Sequence, residues 1–316
     1  MSIVCFGEAL IDFLNVEGNL FEANIGGGPT NVAGAIAKWG GKTFLISKVG
    51  NDMFGRMIKN KLEEIGVDVS GLKITDQYFT TLAFVKVDER GERSFSFSRK
   101  HGADVYITPD EIEEEIIKSS KILHFSSLSM THNTNRKTTF HILEIAKNNG
   151  LLISYDPNFR EPLWESKNLA IDTIMLPIKL GYVDILKVSL EEVNLYALYP
   201  EDFYQMIKDK VKLLFVTMGE KGTIVFCGGN KERVPSIEVT AVDTTGCGDC
   251  FMALILFEIW KIGTLKDISF GKLIEITRKA NVAGALCATK KGALPAVPDY
   301  NEIERVLSKP NTNFER

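Results

Sequence analysis

Short apolar runs recur at 2–6, 43–49, 121–125, 151–155, 183–187, 213–217 and 223–227, each of strand length and without strict polar alternation. Runs of this kind suit strands buried on both faces, as in a parallel sheet. Between most of them the apolar positions recur with helical period, over 30–39, 54–65, 135–148 and 170–179, and Gly40 and Gly66 stand where the first two helices need a C-cap glycine. Alternating strands and helices predict an α/β fold with a mostly parallel sheet covered on both faces. Two stretches break the alternation. Residues 79–97 read as a hairpin around a polar turn at 88–92, and 10–25 look extended with no helix signal. Together they predict a small β-sheet projecting as a lid, formed by about 11–25 and 79–101, with an ordinary sheet edge as the plainer alternative. No linker, charge block or repeat divides the chain, so 1–316 reads as a single domain.

Composition narrows the partners. With 45% hydrophobic and 25% charged residues the chain can bury a large core. Lys+Arg 37 against Asp+Glu 41 gives a net charge of −4, which offers nothing to a nucleic-acid backbone or an anionic membrane. Glu8 and Asp12 interrupt the N-terminal apolar stretch before it reaches signal-peptide length, and the longest greasy stretch, 251–260, contains Glu258 and is too short to span a bilayer. A cytoplasmic protein acting on small molecules, with no nucleic acid and no membrane, is the expectation. The five cysteines, Cys5, Cys227, Cys247, Cys250 and Cys287, are odd in number and mostly sit in apolar segments, as reduced thiols do.

Three segments can carry chemistry. The first is Gly26-Gly27-Gly28-Pro29-Thr30-Asn31, a glycine run feeding a helix, where backbone can approach a ligand closely and Asn31 can donate and accept at once toward a sugar hydroxyl. Position 31 is not the glycine that a Rossmann fingerprint needs, and no Walker A sequence occurs. Alone, the run also reads as a plain turn. The second is Asp243-Thr244-Thr245-Gly246-Cys247-Gly248-Asp249 ahead of an apolar helix. Glycines at a helix start leave amides unshielded for a developing phosphoryl charge, and Asp249 beside them suits a general base; the alternative is that Asp243 or Asp249 only caps the helix. Cys247-x-x-Cys250 nominally matches a redox motif, but no second pair accompanies it; the setting near a helix N-terminus predicts a reactive Cys250 thiol.

The third is 156–164, following a strand end where parallel sheets bind ligands. Arg160 has the fork for phosphate oxygens, and Asp156 and Asn158 suit hydroxyl or metal-shell contacts, although a surface turn with a paired arginine reads equally well. Lys187 and Ser189 follow another strand end, as do Thr217, Gly219 and Gly222, and a nucleotide fits along both. Glu192 is placed to orient a magnesium-bound water, or else to be solvated. The four histidines lack metal-ligand spacing and no G-x-S-x-G occurs, so hydrolase readings gain no support.

In this order the segments resemble the ribokinase-like (pfkB) sugar kinases over nearly the whole chain. Two signatures carry the resemblance: Gly27-Gly28-Pro29-Thr30-Asn31-Val32-Ala33 with Gly40 and Gly50 following, and the run 243–251. The resemblance implies a doubly wound α/β fold with a β lid, ATP and Mg²⁺ as cofactors, and Asp249 as the base. It implies an anion hole from the amides of Gly246, Cys247 and Gly248, and sugar contacts from Asp12, Gly28 and Asn31, with Gly27 beside them. It also implies a monovalent cation, K⁺ being one choice, near 243–245 and 287–292, which makes Asp243, Thr245, Cys287 and Gly292 its candidate neighbours, and a homodimer through the lid strands. Within the family, 156–164 and 95–104 look most like fructokinases. The 2-keto-3-deoxygluconate kinases share the former segment and are the alternative, with Arg99 as the cation for a substrate carboxylate. Ser189 departs from the Asn common at its position, and Cys247 and Cys250 replace alanines. A non-catalytic sugar or nucleotide sensor on the same fold is a further alternative, against which the intact Gly246, Gly248 and Asp249 argue.

Overall fold

The computed structural model describes residues 2–87 and 93–308; the tip expected at 88–92 lies outside them. The strands are β1 (Ile3–Phe6), β2 (Leu10–Glu17), β3 (Leu20–Gly26), β4 (Thr43–Gly50), β5 (Leu72–Thr75), β6 (Thr81–Val87), β7 (Arg93–Ser98), β8 (Ile122–Ser126), β9 (Leu152–Asp156), β10 (Ile185–Ser189), β11 (Leu213–Thr217), β12 (Thr223–Cys227) and β13 (Asn230–Val234). The helices are α1 (Gly28–Lys38), α2 (Met53–Glu64), α3 (Glu114–Lys118), α4 (Asn133–Asn148), α5 (Lys167–Lys179), α6 (Leu190–Val193), α7 (Pro200–Ile207), α8 (Cys247–Ile262), α9 (Phe270–Ala288) and α10 (Tyr300–Leu307).

Nine strands form one sheet in the order β13-β12-β11-β10-β9-β8-β1-β4-β5. It is parallel from β5 to β11, and β12 and β13 run antiparallel. Successive residues of β1 alternate between two cores: Ile3 and Cys5 face α1, α2, α8, α9 and α10, while Val4 and Phe6 face α3, α4, α5 and α7. Burial on both faces is why these strands read as unbroken apolar runs. The most apolar helix, α8, is buried continuously from Cys250 to Ile259. Its one acid there, Glu258, is bound by Tyr300 Oη and by Lys261 Nζ. Strand β13 reads Asn-Lys-Glu-Arg-Val and is exposed over its first four residues, so no apolar signal marks it.

A second sheet, β3-β2-β6-β7, stands apart from the first. Its base is fixed by Arg99, just beyond β7 and buried, which donates from Nε (2.9 Å) and Nη2 (2.7 Å) to Asp104 Oδ2 and from Nη1 to Thr131 Oγ1 (2.8 Å). Nη2 also donates to the Leu128 carbonyl at 2.9 Å, and Thr81 Oγ1 bonds the other Asp104 oxygen. This buried pair ties the small sheet to the segment that follows β8. Breaking one side of such a pair strands an uncompensated charge. Arg99→Met is therefore expected to lower stability by about 3–5 kcal/mol in urea unfolding, with Arg99→Met/Asp104→Leu recovering part of the loss.

Candidate active site

Strands β1, β4 and β5 step one way across the sheet and β8 to β11 step the other, so the topological switch lies between β1 and β8. Ligand crevices open at the carboxyl ends of strands at such a point. A cleft of about 730 Å³ opens there, reached by Glu8 after β1, Leu128 after β8, Asn158 after β9, Lys187 and Ser189 of β10, and Thr217 of β11. The second sheet contributes Leu10, Asp12, Val85 and Phe97 to its wall.

On the β1 side, the Glu8 carboxylate accepts from the Gly28 amide (2.8 Å) and from Ser126 Oγ (2.8 Å), while its carbonyl accepts from Thr30 Oγ1 (2.8 Å). Gly27 has φ +109, and a Cβ on it would come within 2.2 Å of the Glu8 carbonyl oxygen, so the glycine run is required for β1 and α1 to meet. Asp12 lies against Gly26, where a Cβ would stand 2.0 Å from its Oδ2. Glu8 carries no motif signal of its own; its place one residue beyond Gly7 at the end of β1 is the only hint in the chain.

Across the cleft, Gly246 is the N-cap of α8 with φ 75, and a Cβ there would strike Ala293, its Cα at 2.8 Å. The first amides of α8 thus open onto the cleft, and Asp249, inside the first turn, does not cap it: its Oδ2 accepts from Asn31 Nδ2 at 2.8 Å. Lys187 Nζ would lie 2.9 Å from a Cβ on Gly248 and is 2.9 Å from Asp156 Oδ2, which puts a buried cation beside those amides. Burial pushes the Asp249 carboxyl up, opposed by the Asn31 hydrogen bond, Lys187 and Arg160. Burial pushes the Asp156 carboxyl up, Lys187 opposing and Glu192 adding, while burial of Lys187 is outweighed by Asp156 and Glu192, which hold it protonated. Asn158 has φ 49, the one non-glycine residue in the left-handed region among the described residues. Arg160 stands exposed at the rim.

Residues 1–299 match the family described as pfkB family carbohydrate kinase. The chain is 40% identical to "Probable fructokinase-5" of Arabidopsis thaliana, over 96% of this chain and 97% of the relative. Its fold superposes on fructokinase with bound ATP from Xylella fastidiosa with a TM-score of 0.90 at 31% identity, covering 96% of this chain and 97% of that one. A double-mutant fructokinase from Vibrio cholerae O395, in its fructose, ADP and potassium ion bound form, gives a TM-score of 0.88 at 31% identity over 96% and 98%. The chain belongs to the pfkB family of carbohydrate kinases.

In this pfkB kinase most of the residues singled out from the sequence share the one cleft: Asp12, Gly27, Gly28, Asn31, Asn158, Arg160, Lys187, Ser189, Glu192, Thr217, Gly219, Thr245, Gly246, Cys247, Gly248 and Asp249 all line it. Others stand elsewhere. Arg99 is spent on Asp104 and acts behind Leu128, so it is not the cation expected to face a substrate carboxylate. Gly222, at φ +86, closes the β11–β12 turn by accepting from the Met218 amide, and a Cβ there would meet the Val234 carbonyl at 2.1 Å; packing, not nucleotide contact, explains this glycine. Asp156 lies behind Lys187. Glu192 is buried rather than solvated, accepting from the Phe159 and Ser189 amides at 2.7 Å each.

Asp243 joins two loops, accepting from the Thr245 amide (3.0 Å) and the Gly292 amide (2.9 Å). Cys287 Sγ lies 4.0 Å from the carbonyls of Thr245 and Ala293. The reactive thiol expected at Cys250 does not fit: Cys250 is buried, with Sγ turned to the Ala283 carbonyl at 3.5 Å, and the Cys287 sulfur and burial push the Cys247 thiol far up.

Asp12 is pushed up to about 7 by burial, with Asp249 adding and Arg160 opposing. An acid whose folded pKa is raised contributes stability at low pH that is lost as pH rises through the folded value. Between about pH 4 and 7 the wild type is expected to lose on the order of 4 kcal/mol relative to Asp12→Asn, measured by urea unfolding of both at each pH.

Proposed function

We propose that this carbohydrate kinase transfers the γ-phosphoryl group of ATP to D-fructose, giving fructose 6-phosphate and ADP. The observation that carries the reading is the first turn of α8, where unshielded amides and a carboxylate share one cleft wall with Lys187 beside them. In a loose phosphoryl-transfer transition state the protein positions the reactants and stabilises charge on the equatorial oxygens. The amides of Gly246, Cys247 and Gly248, with Lys187 and Arg160, serve that charge. Asp249 takes the hydroxyl proton late, as the oxygen bonds to phosphorus, so its pKa need not approach that of an alcohol.

The sugar occupies the end of the cleft bounded by Asp12, Gly27, Gly28, Asn31 and Asn158, and ATP lies along Lys187, Ser189, Thr217 and Gly219 toward Gly246 and Gly248. Folding of the second sheet over the sugar keeps water from acting as acceptor. Val16, Leu20, Phe21 and Phe84 are exposed on that sheet, and pairing of two copies there belongs to the same reading. No helix among the described residues is long and apolar enough to cross a membrane.

Magnesium fits the cleft in a limited way. No group of three or more His, Cys, Asp or Glu side chains among the described residues is arranged to hold a metal, and both Glu192 oxygens already accept amides. The ion would rest mainly on nucleotide phosphates, with Glu192 touching it only through water, and when bound it neutralises phosphate charge. The two loops tied by Asp243 gather the carbonyls of Thr245 and Ala293 near Cys287, a donor set that fits a monovalent cation. A 2-keto acid substrate loses its expected partner with Arg99 engaged by Asp104.

Coupled ADP-release assays with fructose, ribose, 2-keto-3-deoxygluconate and adenosine test the reading; fructose is expected to give the highest kcat/KM, and turnover of another acceptor in its place overturns it. Asp249→Asn is expected to lower kcat by roughly 10²- to 10⁴-fold with ATP binding retained, read by steady-state kinetics and calorimetry.

A further inference from the structure

The contact between Asn31 and Asp249 joins the first turns of α1 and α8. The amide is used on one side only. Nδ2 donates to Asp249 Oδ2 at 2.8 Å, whereas Oδ1 is buried and has no partner. The carboxylate is divided in the same way. Its Oδ1 faces Gly28, where a Cβ would stand 3.5 Å from it, 3.0 Å from Asn158 Nδ2 and 3.4 Å from Glu8 Oε1, so the missing side chain keeps that side of the carboxylate open. Asn31 is itself held firmly, through its amide bond to the Gly27 carbonyl (2.8 Å) and through the bond of Gly28 to Glu8.

We propose that Asn31 is a positioning residue: it holds Oδ2 of Asp249 so that Oδ1 alone receives the proton of the acceptor hydroxyl. The proposal rests on the kinase reading above. In the step it describes, the hydroxyl proton passes to Asp249 Oδ1, the hydroxyl oxygen forms a bond to the γ-phosphorus, and the bond from that phosphorus to the leaving ADP oxygen breaks. An amide donor favours the ionised carboxylate, which keeps the base ready, and a fixed Oδ2 leaves a single direction for proton transfer. The groups that face Asp249 from neighbouring elements are Lys187 and Arg160, the acids Glu8, Asp12 and Asp156, and the thiols of Cys247 and Cys287. All of them remain in a variant at position 31.

The test is Asn31→Ala, compared with the wild type in two ways. A ¹³C NMR titration of the Asp249 carboxyl in protein without substrates is expected to move up by about 1–2 pH units, the equivalent of losing one hydrogen bond to a charged group. The acidic limb of the kcat profile is expected to move with it, and kcat at neutral pH to fall at least about tenfold with ATP affinity unchanged. Should Asn31→Ala fail to fold, the isosteric Asn31→Asp is read instead, with a larger upward shift expected from the added like charge. A raised KM for sugar with titration and acidic limb unmoved overturns the proposal, since Asn31 would then be a sugar contact only. A uniform loss at every pH together with a lower Tm overturns it in favour of a packing role. A wild type that releases no ADP with any sugar sinks the kinase reading instead, because the carboxyl titration is read on the protein alone.

Discussion

Crowding buried and half-buried carboxylates into one end of a sheet is the constraint on which this molecule depends. Glu8, Asp12, Asp156 and Asp249 are all pushed up by burial; Arg160 opposes the shift at Asp12, and the other three are each kept tolerable by a particular device. Glu8 accepts a helix-start amide and a serine hydroxyl, Asp156 holds Lys187, and Asp249 takes an amide from Asn31. Unpaired charge in such a place would be costly, so the cleft can exist only if α1, α8 and the strand ends meet in this one arrangement. The glycines at 27, 28, 246 and 248 follow from it, because each lies where a Cβ would crowd a neighbouring group.

Much of this architecture is legible in the chain because buried parallel strands announce themselves as apolar runs. Seven apolar runs are found as strands, six of them parallel and β12 antiparallel, and four periodic stretches as helices, within a few residues. The elements that escape are those whose burial is partial. Strand β13 is polar because it is an edge, and β5 has only four residues. The site is legible through its two glycine-bearing helix starts, since local backbone demands leave a local trace.

Long-range partnership leaves no such trace. Nothing near Arg99 in sequence reveals that Thr131 and the Leu128 carbonyl share its guanidinium, and Asp104, five residues on, declares no preference for it. Asn31 looks like a hand held out to a sugar until the fold brings Asp249 to it from 218 positions away. Glu8 is similarly silent: a single acid after a strand becomes informative only when Ser126 and Gly28 close on it.

The margins of the nine-stranded sheet have a consequence of their own. At one flank β13 presents Lys231, Glu232 and Arg233 in succession, and at the other β5 stops after four residues. Neither flank offers a long greasy ribbon onto which a stray strand from another chain might zip, so a wide parallel sheet that would otherwise invite fibrous stacking is closed off by its own borders.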